Sequence, residues 1–158
     1  DVAKRFVADG RMQLVRFDLV GDGPLFEQIG SAGVPGNVRL LGRLDDDQLA
    51  RCYATCDAFI LPTRFEGMPT VVLEAMAQAK PVLVSNVGAT AELVDMHNGY
   101  LLPPGQAEPL YDAIISFCER SPEARMKMGR YGEERARELF SWPVVTERFL
   151  KLVKEIAR

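Results

Sequence analysis

The chain has 158 residues, of which 47% are hydrophobic and 26% charged, enough apolar material for one buried core and too much for a disordered chain. No apolar run approaches the ~18 residues of a membrane span, and no basic-then-apolar leader opens the sequence. Residues 1–118 carry 9 Lys/Arg against 15 Asp/Glu, and residues 119–158 carry 10 against 7; an acidic body of this kind excludes a nucleic-acid-wrapping role, which needs clustered positive charge.

Residues 1–12 read as the end of a helix. Leu14 to Val20 is a β-rich run that stops at Gly21-Asp22-Gly23-Pro24, and Pro24 suits the first turn of a helix reaching about Ala32. Val38 to Leu41 is a short second strand. After Gly42, Asp45-Asp46-Asp47 supplies a cap and an acidic first turn for a helix with Leu49, Cys52, Tyr53 and Cys56 on one face. Ala58 to Leu61 is a third strand, closed by Pro62. A loop from Pro62 to Pro69 precedes a helix from Thr70 to about Ala79 that is apolar nearly all round, the pattern of a buried helix. Pro81 to Ser85 is a fourth strand, Gly88 to Val94 a short helix, and Tyr100 to Leu102 a fifth strand. Helices at about Ala107–Glu119, Glu123–Leu139 and Trp142–Ala157 complete the chain, with Ser121-Pro122 and Phe140-Ser141 as breaks.

Strands alternating with helices through short connections predict an α/β fold: a doubly wound, Rossmann-like parallel sheet with helices on both faces and a helical C-terminal tail. Ligands of such sheets lie beyond the carboxyl ends of the strands. The loops at Gly21–Gly23, Gly42–Leu44, Pro62–Pro69 and Asn86–Gly88 are therefore expected to converge on one site. The three cysteines form no Cys-x-x-Cys pair, so neither a disulfide framework nor a structural zinc site is expected. His97, the sole histidine, lies in a turn sequence, which excludes mechanisms that need two histidines.

The segment Glu66-Gly67-Met68-Pro69-Thr70-Val71-Val72-Leu73-Glu74 places one carboxylate before a helix and a second about one turn inside it. A carboxylate accepts hydrogen bonds from two adjacent hydroxyls at once, so a polyhydroxyl ligand suits this pair. The helix N-terminus between them offers free N–H groups to an anion such as a diphosphate, and Gly67 lets backbone approach closely. The plainer alternatives are an exposed Glu66 that merely favours the helix dipole, and a Glu74 that forms a salt bridge or lies on an exposed face.

The run from Pro62 to Ala77 resembles the Glu-x7-Glu segment of the family 4 retaining glycosyltransferases, which have the GT-B fold. Phe17-Asp18-Leu19-Val20-Gly21-Asp22-Gly23-Pro24-Leu25 resembles that family's strand and glycine turn, and Val38 to Leu44 its base-binding strand. Ala54 to Pro62, Lys80 to Ser85, Gly88 to Val94, Asn98 to Gly105 and Phe140-Ser141-Trp142 continue the resemblance in order. It implies that residues 1–158 form a single C-terminal, nucleotide-sugar-binding domain, one half of a GT-B fold that lacks its first strand. It implies further that Glu66, the candidate catalytic residue, contacts donor-sugar hydroxyls and that Glu74 holds the ribose hydroxyls. Backbone amides of Gly67, Met68, Pro69, Thr70 and Val71 would border the sugar and diphosphate, Pro69 by position only because it has no N–H. Arg43 and Leu44 would meet the base, and Gly21 and Gly23 would shape the adjoining turn.

The chain departs from the family at Ala79, where a glycine is usual, at Ala89, which replaces the second glycine of a pair, and at Met68, which replaces an aromatic residue. A left-handed Ala79 would cost ~1 kcal/mol. No segment matches the family's Arg and Lys that neutralise the leaving diphosphate, nor its acceptor-binding half, so the isolated chain is expected not to turn over. The expected partners are a UDP- or GDP-sugar and, through the absent half, an acceptor glycan or lipid-linked sugar; no metal or other cofactor is expected. A cytoplasmic location follows from the same reading, with peripheral contact at the inner membrane in a longer protein and self-association of the isolated chain as further expectations. The competing readings are a non-catalytic binding or scaffolding domain and an unrelated doubly wound receiver module, the latter disfavoured by the lack of an acidic cluster after its first strand.

Overall fold

A computed structural model describes residues 1–157. Helix α1 (Val2–Ala8) and a single 3-10 turn (Met12–Leu14) lead to strand β1 (Phe17–Val20). The strand begins three residues later than the apolar run suggests, because the Leu14 N–H closes the turn onto the Arg11 carbonyl at 3.0 Å. There follow α2 (Phe26–Ser31), β2 (Val38–Gly42), α3 (Asp46–Thr55), β3 (Phe59–Leu61), α4 (Thr70–Ala77), β4 (Val82–Ser85), α5 (Thr90–Leu93), β5 (Gly99–Leu102), α6 (Ala107–Glu119), α7 (Pro122–Phe140) and α8 (Trp142–Ile156). Every strand–helix alternation expected from the sequence is present. No helix among the described residues is long and apolar enough to cross a membrane.

All strand pairs are parallel, but their ladders form two groups. β1 pairs with β2, in a register that sets Asp18 opposite Arg39. The other sheet has the order β3-β4-β5, with Ile60 opposite Leu83 and Leu83 opposite Tyr100. β1 and β3 each keep one edge without a ladder partner among the described residues. The two groups nonetheless share a core: Phe17 of β1 and Ala58 and Ile60 of the third strand region pack around Phe6 of α1.

Side chains alternate between two apolar layers, as the pleat requires. Phe59, Leu61, Val82, Val84 and Leu101 face α3, α4 and α7, packing with Tyr53, Val72, Ala75, Met76 and Ala136. Ile60, Leu83, Tyr100 and Leu102 face α1 and α6, packing with Phe6, Leu110, Tyr111 and Ile114. β4, central in its sheet, buries all four residues. Each of its three aliphatic side chains contributes roughly 1.5–3 kcal/mol by removal from water.

Helix α4 corrects one expectation. It is not buried all round: Thr70, Val71, Glu74, Ala77 and Gln78 form an exposed stripe, while Val72, Ala75 and Met76 are covered. β3 and β4 pack against the helix on one side and α7 on another, and Tyr53 of α3 reaches its edge at Val71 and Glu74. Its end is a complete Schellman motif, in which the Ala79 N–H bonds the Met76 carbonyl at 2.9 Å and the Lys80 N–H bonds the Ala75 carbonyl at 3.0 Å. Ala79 takes the left-handed conformation this requires, with φ 53°, the one non-glycine residue with positive φ among the described residues. α7 crosses this turn so closely that a Cβ on Gly129 would collide with the Ala79 carbonyl.

Candidate functional site

The N-termini of α3 and α4 are capped differently. Asp45 caps α3: its Oδ1 accepts the Gln48 N–H at 2.8 Å while Gln48 Oε1 accepts the Asp45 N–H at 3.0 Å, a reciprocal capping box. The Asp45 and Gln48 N–H groups of α3 are thus used internally, while those of Asp46 and Asp47 have no partner among the described residues. α4 has Pro69 at its cap position and no side-chain cap. Val72 bonds back to the Pro69 carbonyl at 3.1 Å, whereas the N–H groups of Thr70 and Val71, both on the exposed stripe, have no partner among the described residues. Two open amides at the positive end of a helix attract an anion.

Glu66 precedes that open end in the loop, and Glu74 follows it one turn into α4. Glu66 is half-buried in the loop between β3 and α4, and its carboxylate makes no hydrogen bond or ion pair among the described residues. The loop is held from the far side. The Ala89 N–H donates to the Gly67 carbonyl at 2.8 Å. Gly88, at φ 54°, lies so close to the Glu66 and Gly67 carbonyls that any Cβ there would overlap them; only glycine allows the Asn86–Gly88 turn to seat against this loop. Thr63 closes the near side, its hydroxyl accepting the Phe65 N–H at 3.3 Å. Phe65 is 88% exposed beside Glu66, and Met68 and Val71 are also exposed.

Glu74 is exposed, one of the plainer settings its sequence context allows, because it lies on the open stripe of α4. One of its oxygens is nevertheless held: the Tyr53 hydroxyl of α3 donates to Glu74 Oε2 at 3.2 Å and lies 3.4 Å from the Val71 carbonyl. Burial first, then the neighbouring carboxylate, pushes the Tyr53 phenol well above its ordinary range. Sequence reasoning placed Tyr53 on the apolar face of its helix and stopped there. The signal was that a buried tyrosine needs a partner for its hydroxyl.

The remaining candidates lie at the ends of β1 and β2. The Gly21 N–H donates to the Gly42 carbonyl at 2.7 Å, so the Gly21–Gly23 turn and the Arg43-Leu44 segment are joined. A bidentate pair from Arg39 to Asp18, at 2.8 and 2.6 Å, straps the two strands below the turn and holds the Asp18 carboxyl below its ordinary range. Arg43 and Leu44, with Asp45, Asp46 and Gln48, line an open depression of about 560 Å³. Gly21 and Gly23 border a second, apolar one of about 330 Å³ that runs under α2. The four loops therefore come together as two joined pairs, Gly21–Gly23 with Gly42–Leu44 and Pro62–Pro69 with Asn86–Gly88. No hydrogen bond links one pair to the other among the described residues. α3 spans them, its first turn at the Arg43–Leu44 depression and Tyr53 at Glu74.

Comparison with known proteins gives a consistent result. Residues 5–135 match the family model described as Glycosyl transferases group 1. An uncharacterized glycosyltransferase, MJ1178 of Methanocaldococcus jannaschii, is 32% identical over 145 residues, which cover 89% of this chain and 41% of that protein. The MMP alpha-(1->4)-mannosyltransferase of Mycolicibacterium hassiacum is 31% identical over 157 residues, covering 98% of this chain and 38% of that one. Among solved structures, Anabaena Alr3699/HepE in complex with UDP superposes with a TM-score of 0.75 at 25% identity, over 96% of this chain and 45% of its own. The chain thus spans about two fifths of the length of these curated relatives.

Proposed function

The chain belongs to the group 1 glycosyltransferases and shares their GT-B architecture, and from that premise we propose that it binds the nucleoside diphosphate and sugar of a UDP- or GDP-sugar donor around the N-terminus of α4. The diphosphate lies on the open amides of Thr70 and Val71, with the Gly67–Pro69 backbone beside it. Glu66, free of protein partners, accepts sugar hydroxyls, and Glu74 accepts the ribose hydroxyls. The base rests near Arg43 and Leu44, beside the turn that Gly21 and Gly23 shape. The observation that carries this reading is a pair of carboxylates flanking an uncapped helix terminus, next to a helix whose own terminus is capped.

In a longer protein that supplies an acceptor site, such a donor complex transfers its sugar to a hydroxyl with retention: the acceptor attacks from the face the leaving phosphate occupies, and that phosphate takes the hydroxyl proton. Isothermal titration with UDP and with GDP tests the reading. Binding of at least one is expected, weakened roughly ten- to hundredfold in Glu74→Ala, the loss of two hydrogen bonds of ordinary net strength at an exposed position. Binding indifferent to that substitution, or no binding of either nucleotide, refutes it.

One observation favours a second reading, an association module. No residue of α8 is buried, and Trp142, Phe149 and Ile156 are 83%, 62% and 77% exposed along one helical face. Sedimentation equilibrium that shows concentration-dependent dimers, abolished by Phe149→Glu, together with silence toward nucleotides, supports it; a monomer at all concentrations removes it.

A further inference from the structure

Glu74 sits on an uncovered stripe, where a long side chain ordinarily samples several rotamers and must give up that freedom to bind anything. Its surroundings show why it need not. Tyr53 is 8% exposed, packed in the apolar layer with Val72, Ala75 and Met76, its ring tilted against Phe59 at a centroid distance of 6.0 Å. The helix beneath it is fixed at both ends. Asp45 and Gln48 close the first turn of α3, and Lys80 Nζ donates to the last carbonyls, those of Ala54 and Cys56, at 3.1 and 2.9 Å. The only polar atom of this rigid ring emerges at the edge of α4, within reach of Glu74 Oε2. Glu74 Oε1 has no partner among the described residues.

We propose that Tyr53 is a positioning residue that holds Glu74 through Oε2 and so presents Oε1 and the remaining lone pairs to the vicinal hydroxyls of a ribose. This rests on the assignment of Glu74 to the ribose in the proposed function. A phenol donates one proton, and Oε2 is nearer to it than the Val71 carbonyl is. Burial and the neighbouring carboxylate raise the Tyr53 phenol above its ordinary range, so it stays a donor through the neutral range. The same helix borders the Arg43–Leu44 depression with its first turn. α3 therefore sets the base end and the ribose end of the site at a fixed separation, which is what selection for a whole nucleoside requires.

A tyrosine that merely glued α3 to α4 would affect every nucleotide alike, so the test compares ligands. UDP, or GDP if that is the nucleotide bound, is titrated alongside its 2′,3′-dideoxy analogue into the wild-type chain and into Tyr53→Phe, which keeps the ring. Tyr53→Phe is expected to weaken the ribonucleotide about five- to tenfold, as loss of one hydrogen bond of ordinary net strength implies, and to leave the dideoxy analogue unchanged. Adding Tyr53→Phe to Glu74→Ala is expected to cost nothing more. Equal effects on both ligands, or none on either, overturn the inference. Glu74→Asp, at an exposed position that tolerates change, withdraws the carboxylate from the phenol without removing charge. It is expected to lose the same ribose preference, and full retention of that preference also overturns the inference. If Glu74→Ala affects the ribonucleotide and its dideoxy analogue equally, the ribose assignment itself fails, and the inference with it; if Glu74→Ala discriminates and Tyr53→Phe does not, only the inference falls.

Discussion

Ala79→Gly is predicted to stabilise the chain. Ala79 is the left-handed residue of the Schellman motif that ends α4, with φ 53°, and both hydrogen bonds of the motif are made at 2.9 and 3.0 Å; the backbone is committed to this conformation whatever side chain it carries. An L-residue there costs about 1–2 kcal/mol through the contact of Cβ with its own carbonyl. Glycine removes that cost but enlarges the freedom of the unfolded chain, which returns about 0.5–1 kcal/mol. The net gain is about 0.5–1 kcal/mol, and for a domain of this size that raises the melting temperature by roughly 1–4 °C. Urea unfolding followed by far-ultraviolet dichroism measures it, with the m-value as a check that the unfolded state is otherwise unaltered. A midpoint equal to or below that of the wild type would refute the reasoning, because it would mean that the half-buried methyl packs well enough to outweigh the strain.

Gly129→Ala works in the opposite sense on the same turn: its Cβ would enter the space of the Ala79 carbonyl, so a loss on the order of 2–4 kcal/mol is expected, and a melting point within about a degree of wild type would contradict the close crossing of α7. Stability should decline at alkaline pH. Burial raises Cys56 and Cys118 above the ordinary thiol value of 9.0 and Tyr53 above the phenol value of 10.0, while a hydrogen bond to Asp9 raises Tyr111. The unfolded chain releases these protons first, so their contribution is complete below pH 9.0 and is lost as pH climbs through the folded-state values. Urea midpoints taken from neutral pH upward should fall through that range, less steeply above the phenol value in Tyr53→Phe; level midpoints would refute the assignment.

Helix and strand order was legible in the sequence because it is written in local chemistry: apolar periods of two and 3.6, prolines and glycines at the breaks, and Asp45 as a cap. The carboxylate pair around the start of α4 was legible for the same reason, whereas the strain at Ala79 was suggested only by the resemblance, which has a glycine at that position. The family resemblance added roles to positions that spacing had already singled out. Spacing leaves the exposure of Glu74 open, between a partner-bound carboxylate and one on an exposed face, because burial depends on which of a helix's sides other elements cover.

What the sequence by itself determined, then, is the succession of elements and the residues that stand at their carboxyl ends, because each follows from interactions among neighbours a few positions apart. Only the tertiary structure decided that Tyr53 reaches Glu74 across 21 positions, that Gly88 seats the loop of Glu66, that Gly129 must lack a side chain, and that the strands form two ladders instead of one. Each of these is a contact between segments distant in the chain, whose approach is set by the packing of whole layers and leaves no periodic or compositional trace in the residues that make it.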